Sequence, residues 1–324
     1  MIESISLPLC AAVREEYGGW TGLAEELAGL GCGGVEGIWG GEDIPADFPP
    51  ALLSGYHLTF FPDWLDFYRE DRRALAEKYG SMEAVRRFYG GWGADALMDL
   101  YRADLRRAEA LGARYVVFHV SDVSVEEGYT YRWLHRDGEV IAAAVEVINA
   151  LLDGGRHSFA FLVENQWWPG FTFTDPEQTA RLLEGIHYPG KGILLDTGHL
   201  MNTDRTLRTQ AEGARLIADM LDRHGALCRL IRGVHLHQSL SGAYVRANTG
   251  TLPPDLPADC VERFGVSYSH ILQIDQHRPW TDPAILPVLE RIGPEYLTHE
   301  LQANGRMERR QAVALQRLLL AGRR

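Results

Sequence analysis

Short apolar runs bounded by turn residues alternate, from one end of the chain to the other, with longer stretches whose apolar side chains return every three or four positions. The short runs predict strands at Ser4–Leu7, Gly34–Ile38, Gly55–Thr59, Tyr115–Val120, Phe159–Glu164, Gly192–Asp196, Gly233–His237 and Tyr296–Leu301. The longer pattern predicts amphipathic helices over Ala94–Leu111, Glu139–Leu152, Pro176–Ile186, Arg205–His224 and Met307–Leu320. Eight strands spread over 324 residues leave roughly 40 residues per unit, the allowance for strand, helix and two loops in a (β/α)8 barrel. The expected fold class is therefore α/β, a single (β/α)8 TIM barrel domain spanning residues 1–324.

Two segments exceed that allowance. Phe60–Gly93, after the third strand, carries Trp64, Phe67, Tyr68, Phe88, Tyr89 and Trp92, too apolar for a solvated linker, and is expected to form a lid or short extra helices. Ser239–His270, after the seventh strand, contains a proline-rich stretch at Gly250–Pro257 that suits an excursion at the barrel mouth. No shift in composition marks a second domain.

Composition narrows the class. With 46% hydrophobic and 23% charged residues, the chain is ordinary for a globular protein. No apolar run approaches the ~18 residues of a membrane span, and Glu3 and Pro8 interrupt any signal-like core, so a cytoplasmic protein is expected. Cys10, Cys32, Cys228 and Cys260 are widely separated and suggest neither a disulfide framework nor a thiolate zinc site. The 44 acidic residues against 32 basic give a net charge of −12, which disfavours nucleic acid unless a local arginine patch reverses the field. Lysine occurs only at Lys78 and Lys191, so a catalytic lysine has few candidates.

The chemistry gathers at the ends of the predicted strands. His57 lies in GYHLTFF, His119 in FHVSD, Glu164 in LVEN, Asp196 and His199 in LLDTGH, and His235 and His237 in VHLHQS. A further apolar run, ILQIDQH, delivers Asp275 and His277, and the last strand ends in THEL with Glu300. The C-terminal strand ends of such a barrel converge on one face, where imidazoles and carboxylates together make a site for zinc, manganese or iron. Taken singly, each has a plainer role: a core histidine, an aspartate capping the next helix, a glutamate paired with arginine. The repetition argues otherwise. Acids placed directly after LV, LL and TH would be buried charges without partners, at a cost of several kcal/mol each, which a divalent cation removes.

In order and spacing, the LVEN, LDTGH, VHLH and THEL segments resemble the xylose isomerase-like barrel superfamily, which includes sugar isomerases, epimerases and endonuclease IV. The likeness runs from about Tyr56 to Leu301. It implies a core metal site at Glu164, Asp196, His235 and Glu300, with the DxxH pair Asp196 and His199 among its more specific marks. The similarity to endonuclease IV implies two further zinc sites, one at His57, His119 and Glu164 and one at His199, Asp275 and His277. The chain departs from endonuclease IV in reading His237-Gln238-Ser239 after the strand-seven histidine and Arg278-Pro279-Trp280-Thr281 after the DxH pair. The DNA-handling loops of that enzyme are not recognisable. The catalytic lysine of xylose isomerase has no counterpart either.

Two chemistries follow. In the first and favoured one, a divalent-metal enzyme isomerises or epimerises a small sugar or sugar phosphate. Glu164 and Glu300 serve as acid and base with pKa values driven apart, and His199 binds a substrate hydroxyl. Arg246 or Arg278 would take a phosphate, while Trp167, Trp168, Trp64 and Trp280 in the mouth loops would pack on the sugar or on one another as a lid. In the second, three metals cleave a phosphoester, as in the endonuclease IV type. A barrel that binds a ligand without turning it over is a third reading. Zinc or manganese, one to three ions per chain, is the expected cofactor, a small molecule the expected partner, and a homo-oligomer is compatible with everything read.

Overall fold

A computed structural model describes residues 1–322. Eight parallel strands close on themselves in sequence order: β1 (Ile2–Leu9), β2 (Gly34–Trp39), β3 (Leu53–His57), β4 (Tyr115–His119), β5 (Ala160–Glu164), β6 (Lys191–Asp196), β7 (Ile231–His235) and β8 (Tyr296–His299). Closure is made by β1 pairing with β8, with Ile2 opposite Tyr296 and Ile5 opposite His299. All eight predicted strands are present. Runs such as AFLVE and GILLD are apolar throughout because parallel barrel strands are covered on both faces, by the interior and by the helical ring.

The interior is filled by side chains and is not a pore. Tyr115, Val117, Ala160, Leu162 and Leu194 pack there, and the space for the tyrosine comes from Gly55, where a Cβ would lie 2.1 Å from the Tyr115 ring.

The predicted helices form at Ala94–Ala110, Asp137–Leu152, Pro176–Gly185 and Arg306–Ala321, within two residues of expectation. The continuous helix expected over Arg205–His224 is shorter, Gln210–His224. A capping box sets its start: Thr209 Oγ1 accepts from the Glu212 amide and the Glu212 carboxylate accepts from the Thr209 amide.

Both insertions are helical. The first folds into three short helices, Leu65–Tyr68, Arg72–Tyr79 and Met82–Tyr89. Asp71 and Ser81 cap the second and third, and their C-terminal glycines, Gly80 and Gly90, have φ of 79° and 71°, which only glycine adopts without strain. The second insertion carries helices Gly242–Asn248 and Cys260–Ile274. The ILQI run is thus the end of a helix and not strand-like, and Asp275 and His277 stand in the loop beyond it. The two insertions meet: Phe88 packs edge-on to Phe264 at 5.4 Å, and Arg87 forms an ion pair with Asp259. Among the described residues no helix is long and apolar enough to cross a membrane.

Candidate metal centre

His57, His119, Glu164, Asp196 and His235 are the last residues of β3, β4, β5, β6 and β7, and Glu300 follows β8 by one position. Neighbouring register sets His119 beside Glu164 and Asp196 beside His235. His199 arrives one turn into the Thr197–Asn202 helix, whose N-terminus is capped by Asp196 Oδ1 accepting from the His199 amide at 2.6 Å. Asp196 therefore fills both roles considered from sequence, helix cap and member of the cluster. His277 has a φ of 46°, a left-handed conformation that a histidine holds only when its surroundings impose it.

These side chains gather into three adjoining groups whose donor atoms lie within 4.8 Å of one another: His57, His119 and Glu164; Glu164, Asp196, His235 and Glu300; and His199, His237, Asp275 and His277. Glu164 belongs to two of them. In the first group the Nε2 atoms of His57 and His119 are 3.1 Å apart, and Glu164 Oε2 lies 3.3 and 3.1 Å from them. Donors roughly 3.3 Å apart are what a tetrahedral ion with ~2.0 Å bonds imposes.

The rings are aimed from behind. His57 Nδ1 lies 2.9 Å from the Leu58 carbonyl, His199 Nδ1 3.0 Å from that of Asn165, and His277 Nδ1 3.0 Å from that of Glu300. A proton donated there leaves the Nε2 lone pair facing the cluster, the usual support of a histidine ligand. His235 is turned the other way. Its Nε2 is 2.9 Å from Glu36 Oε1, so Nδ1 faces inward, 2.8 Å from Glu300 Oε2.

His237 Nδ1 lacks a hydrogen-bond partner, and both oxygens of Glu164, Oε2 of Glu300 and Nδ1 of His235 stand in close contact with neighbouring donor-set atoms without the geometry of a hydrogen bond. Unmatched donors and acceptors at this depth would cost several kcal/mol, and a shared cation satisfies them together. The local field agrees. Burial disfavours the charged imidazole, yet the surrounding carboxylates raise His57, His199 and His235 above the usual histidine range, and Asp275 lifts His277 to about 9. Burial alone would raise Glu164 and Glu300; the His119 and His235 imidazoles overcome it for Glu164 and His235 for Glu300, holding both carboxyls below the ordinary range. The pocket attracts positive charge.

Sequence reasoning does not assign two members of this centre. Glu36, fully buried on β2, accepts from Tyr115 Oη at 2.7 Å and Thr298 Oγ1 at 3.0 Å while holding His235. GVEGIW carries the same acid-within-apolar-run signature as LVEN, and that signal could have found it. His237 is visible in VHLHQS, with no role attached to it there. It stands two residues past His235, on the same side of the strand direction, with Nε2 2.8 Å from Asp196 Oδ2 and its ring stacked 4.1 Å from that of His277. Gly198 makes room for it, since a Cβ there would fall 2.0 Å from the His237 ring. Glu36→Gln is expected to weaken metal binding at the His235 group by roughly 10- to 100-fold without unfolding the barrel. Titration against a competing chelator, beside a melting curve, checks it.

The substrate-contact residues divide. Trp167 and Trp168 line the cavity above the donor groups. Trp280 does not. It is fully buried, and its indole N–H donates to the His237 carbonyl at 2.7 Å, so it supports the strand-seven end and touches no open space. Trp64 is likewise buried and donates to the Ser121 carbonyl. Arg246 and Arg278 are exposed and outside the cavity lining: Arg246 donates to the Arg205 carbonyl, and Arg278 pairs through its backbone with Gln238. Lys78 is bound to Asp63 and Asp66, and Lys191 donates to the Ile186 carbonyl, so neither lysine approaches the centre.

Comparison with solved structures finds the same architecture at low identity. Endonuclease IV from Thermus thermophilus is 17% identical with a TM-score of 0.58, covering 99% of this chain and 100% of that one. A D-tagatose 3-epimerase-like protein is 14% identical with a TM-score of 0.54, covering 99% and 97%. An L-ribulose 3-epimerase is 11% identical with a TM-score of 0.53, covering 99% and 94%. No curated protein matches by sequence. A family model described as xylose isomerase-like TIM barrel matches residues 24–312, and with the closed barrel and the clustered strand-end ligands this establishes that the chain belongs to that family.

Proposed function

We propose that the protein is a divalent-metal-dependent phosphoester hydrolase working with up to three ions. The observation that carries this reading is the set of three adjoining donor groups joined at Glu164. Ions held by His57, His119 and Glu164, by Glu164, Asp196, His235 and Glu300, and by His199, His237, Asp275 and His277 would supply Lewis acidity at phosphoryl oxygens and lower the pKa of attacking water. The chain's own residues do the positioning. Glu36 fixes the His235 ring, the Asn165 carbonyl accepts from His199 Nδ1 at 3.0 Å, and the Asn165 side chain ties β5 to β6 by accepting from the Asp196 amide and donating to its carbonyl. Trp167, its ring 5.1 Å from that of His199, sets an apolar face beside that donor group.

The isomerase or epimerase reading retains one supporting observation. Glu164, Asp196, His235 and Glu300 alone form a four-donor group sufficient for a single ion, and proton transfer between adjacent carbons needs no more. Against it, a single ion at those four donors leaves the His57–His119 pair and the His199, His237, Asp275 and His277 group without a role.

One experiment separates the readings. Zinc- or manganese-loaded protein is given bis(p-nitrophenyl) phosphate in one assay and D-fructose in deuterated water in another. The expected result is metal-dependent release of p-nitrophenol with no deuterium entering the sugar. Deuterium incorporation without phosphodiester cleavage would replace the hydrolase by the epimerase.

A further inference from the structure

We infer that the substrate carries an apolar, ring-sized group next to the atoms the metal centre acts on. For the head group this rests on the hydrolase reading; the apolar part does not depend on it. Above the donor groups lies one cavity of about 430 Å³, bounded by His57, His119, His199, Asp275, His277 and Glu300 on one side and by the two insertions on the other. That is the size range of small-molecule pockets.

The walls that rise from the ligands are aromatic. The Phe60 ring lies 4.5 Å from that of His119, Trp167 lies 5.1 Å from His199, and Trp168 lies 4.1 Å from Trp167. Val123, Ile271 and Phe264 continue the lining outward. The cations in that lining are already engaged. Lys78 sits 2.6 Å from Asp63 and 2.8 Å from Asp66, while Arg263 donates to the Pro257 and Ala258 carbonyls. A second phosphate placed here would lose its water and meet no free cation among the described residues, and the exposed wall is mostly apolar, so each polar group left unmatched costs roughly 1–3 kcal/mol. A phenyl or alkyl body loses nothing by desolvation and gains the aromatic contacts.

The test uses two matched pairs of probes on the zinc-loaded protein, by calorimetry: phenylphosphonate against methylphosphonate, and phenyl β-D-glucoside against methyl β-D-glucoside. Burying a phenyl ring predicts a roughly 10- to 100-fold preference for the phenyl member. Ile271→Gln, at a half-buried wall position that supplies no donor atom to the three groups, is expected to cut that preference at least fivefold while leaving methylphosphonate affinity within twofold; Phe60→Ala provides a second wall variant should the first fold poorly. Phenyl preference within the phosphonates supports both the inference and the hydrolase reading. Phenyl preference seen only in the glucosides removes the phosphoester head and leaves the apolar substrate standing. Equal affinity within whichever pair binds, or binding of neither pair, overturns the inference.

Discussion

Glu164→Ala is expected to reduce the metal content of the zinc-reconstituted protein from about three ions per chain to about one, and to reduce activity at least ~1,000-fold. The first effect follows from sharing. Glu164 supplies a donor to the His57–His119 group and to the Asp196–His235–Glu300 group, whereas the His199, His237, Asp275 and His277 group contains four donors without it. The second follows from the several kcal/mol of charge stabilisation that metals provide, at 1.36 kcal/mol for each factor of ten. Elemental analysis and a turnover assay measure the two. Glu164→Gln serves as a control, keeping the volume of a fully buried side chain and removing its charge. Proton release accompanies loading of the wild type near pH 7, because His277 is lifted to about 9 and must surrender its proton to bind. One ion per wild-type chain after full reconstitution would sink the three-ion reading.

Lys78→Met is expected to destabilise the protein by roughly 3–5 kcal/mol at pH 8, the cost of removing one partner from a buried ion pair. Lys78 lies between Asp63 and Asp66, Tyr79 Oη donates to Asp63 at 3.2 Å, and His135 stands 3.2 Å from Asp66. Burial would raise Asp66, but His135 and Lys78 hold it at about 2; Asp122, nearby and more deeply buried, is pushed up to about 7 by desolvation and by Asp63. Without the ammonium, all three carboxyls shift upward in the folded state. A group whose folded pKa is raised adds stability that is complete below its unfolded pKa and lost as pH rises through the folded one. The deficit of the variant should therefore shrink as the pH falls from 8 toward 5. Chemical denaturation across that range reads it, and Lys78→Met combined with Asp63→Asn should recover part of the loss at pH 8. A deficit independent of pH would show that the lysine contributes packing and not charge.

The barrel was legible because its strands advertise themselves: runs buried on both faces must be apolar throughout, and eight such runs separated by helical periodicity leave few alternatives. The donor set was legible for a related reason. An acid or histidine that ends an apolar run has nowhere to go except inward or to the mouth, and His57, His119, Glu164, Asp196 and His235 all end strands. Glu36 escaped assignment because it lies in mid-strand, where its partners Tyr115, Thr298 and His235 come from β4, β8 and β7, up to 262 residues away. Trp280 misled because a tryptophan in a loop near the mouth can face either the cavity or the core, and composition does not say which; the His237 carbonyl captured its N–H.

The sequence by itself determined the alternation of elements, and with it the barrel, and the kinds of donor that reach the strand ends, because burial and periodicity are local properties of a chain. Only the tertiary structure decided that His237 joins one of the three donor groups and Glu36 supports another, and that two insertions meet at Phe88 and Phe264 to roof an aromatic cavity. The physical reason is that each of these depends on distances of roughly 3 to 5 Å between side chains far apart in sequence. Such distances are set by strand register and helix packing, to which no single segment of the chain has access.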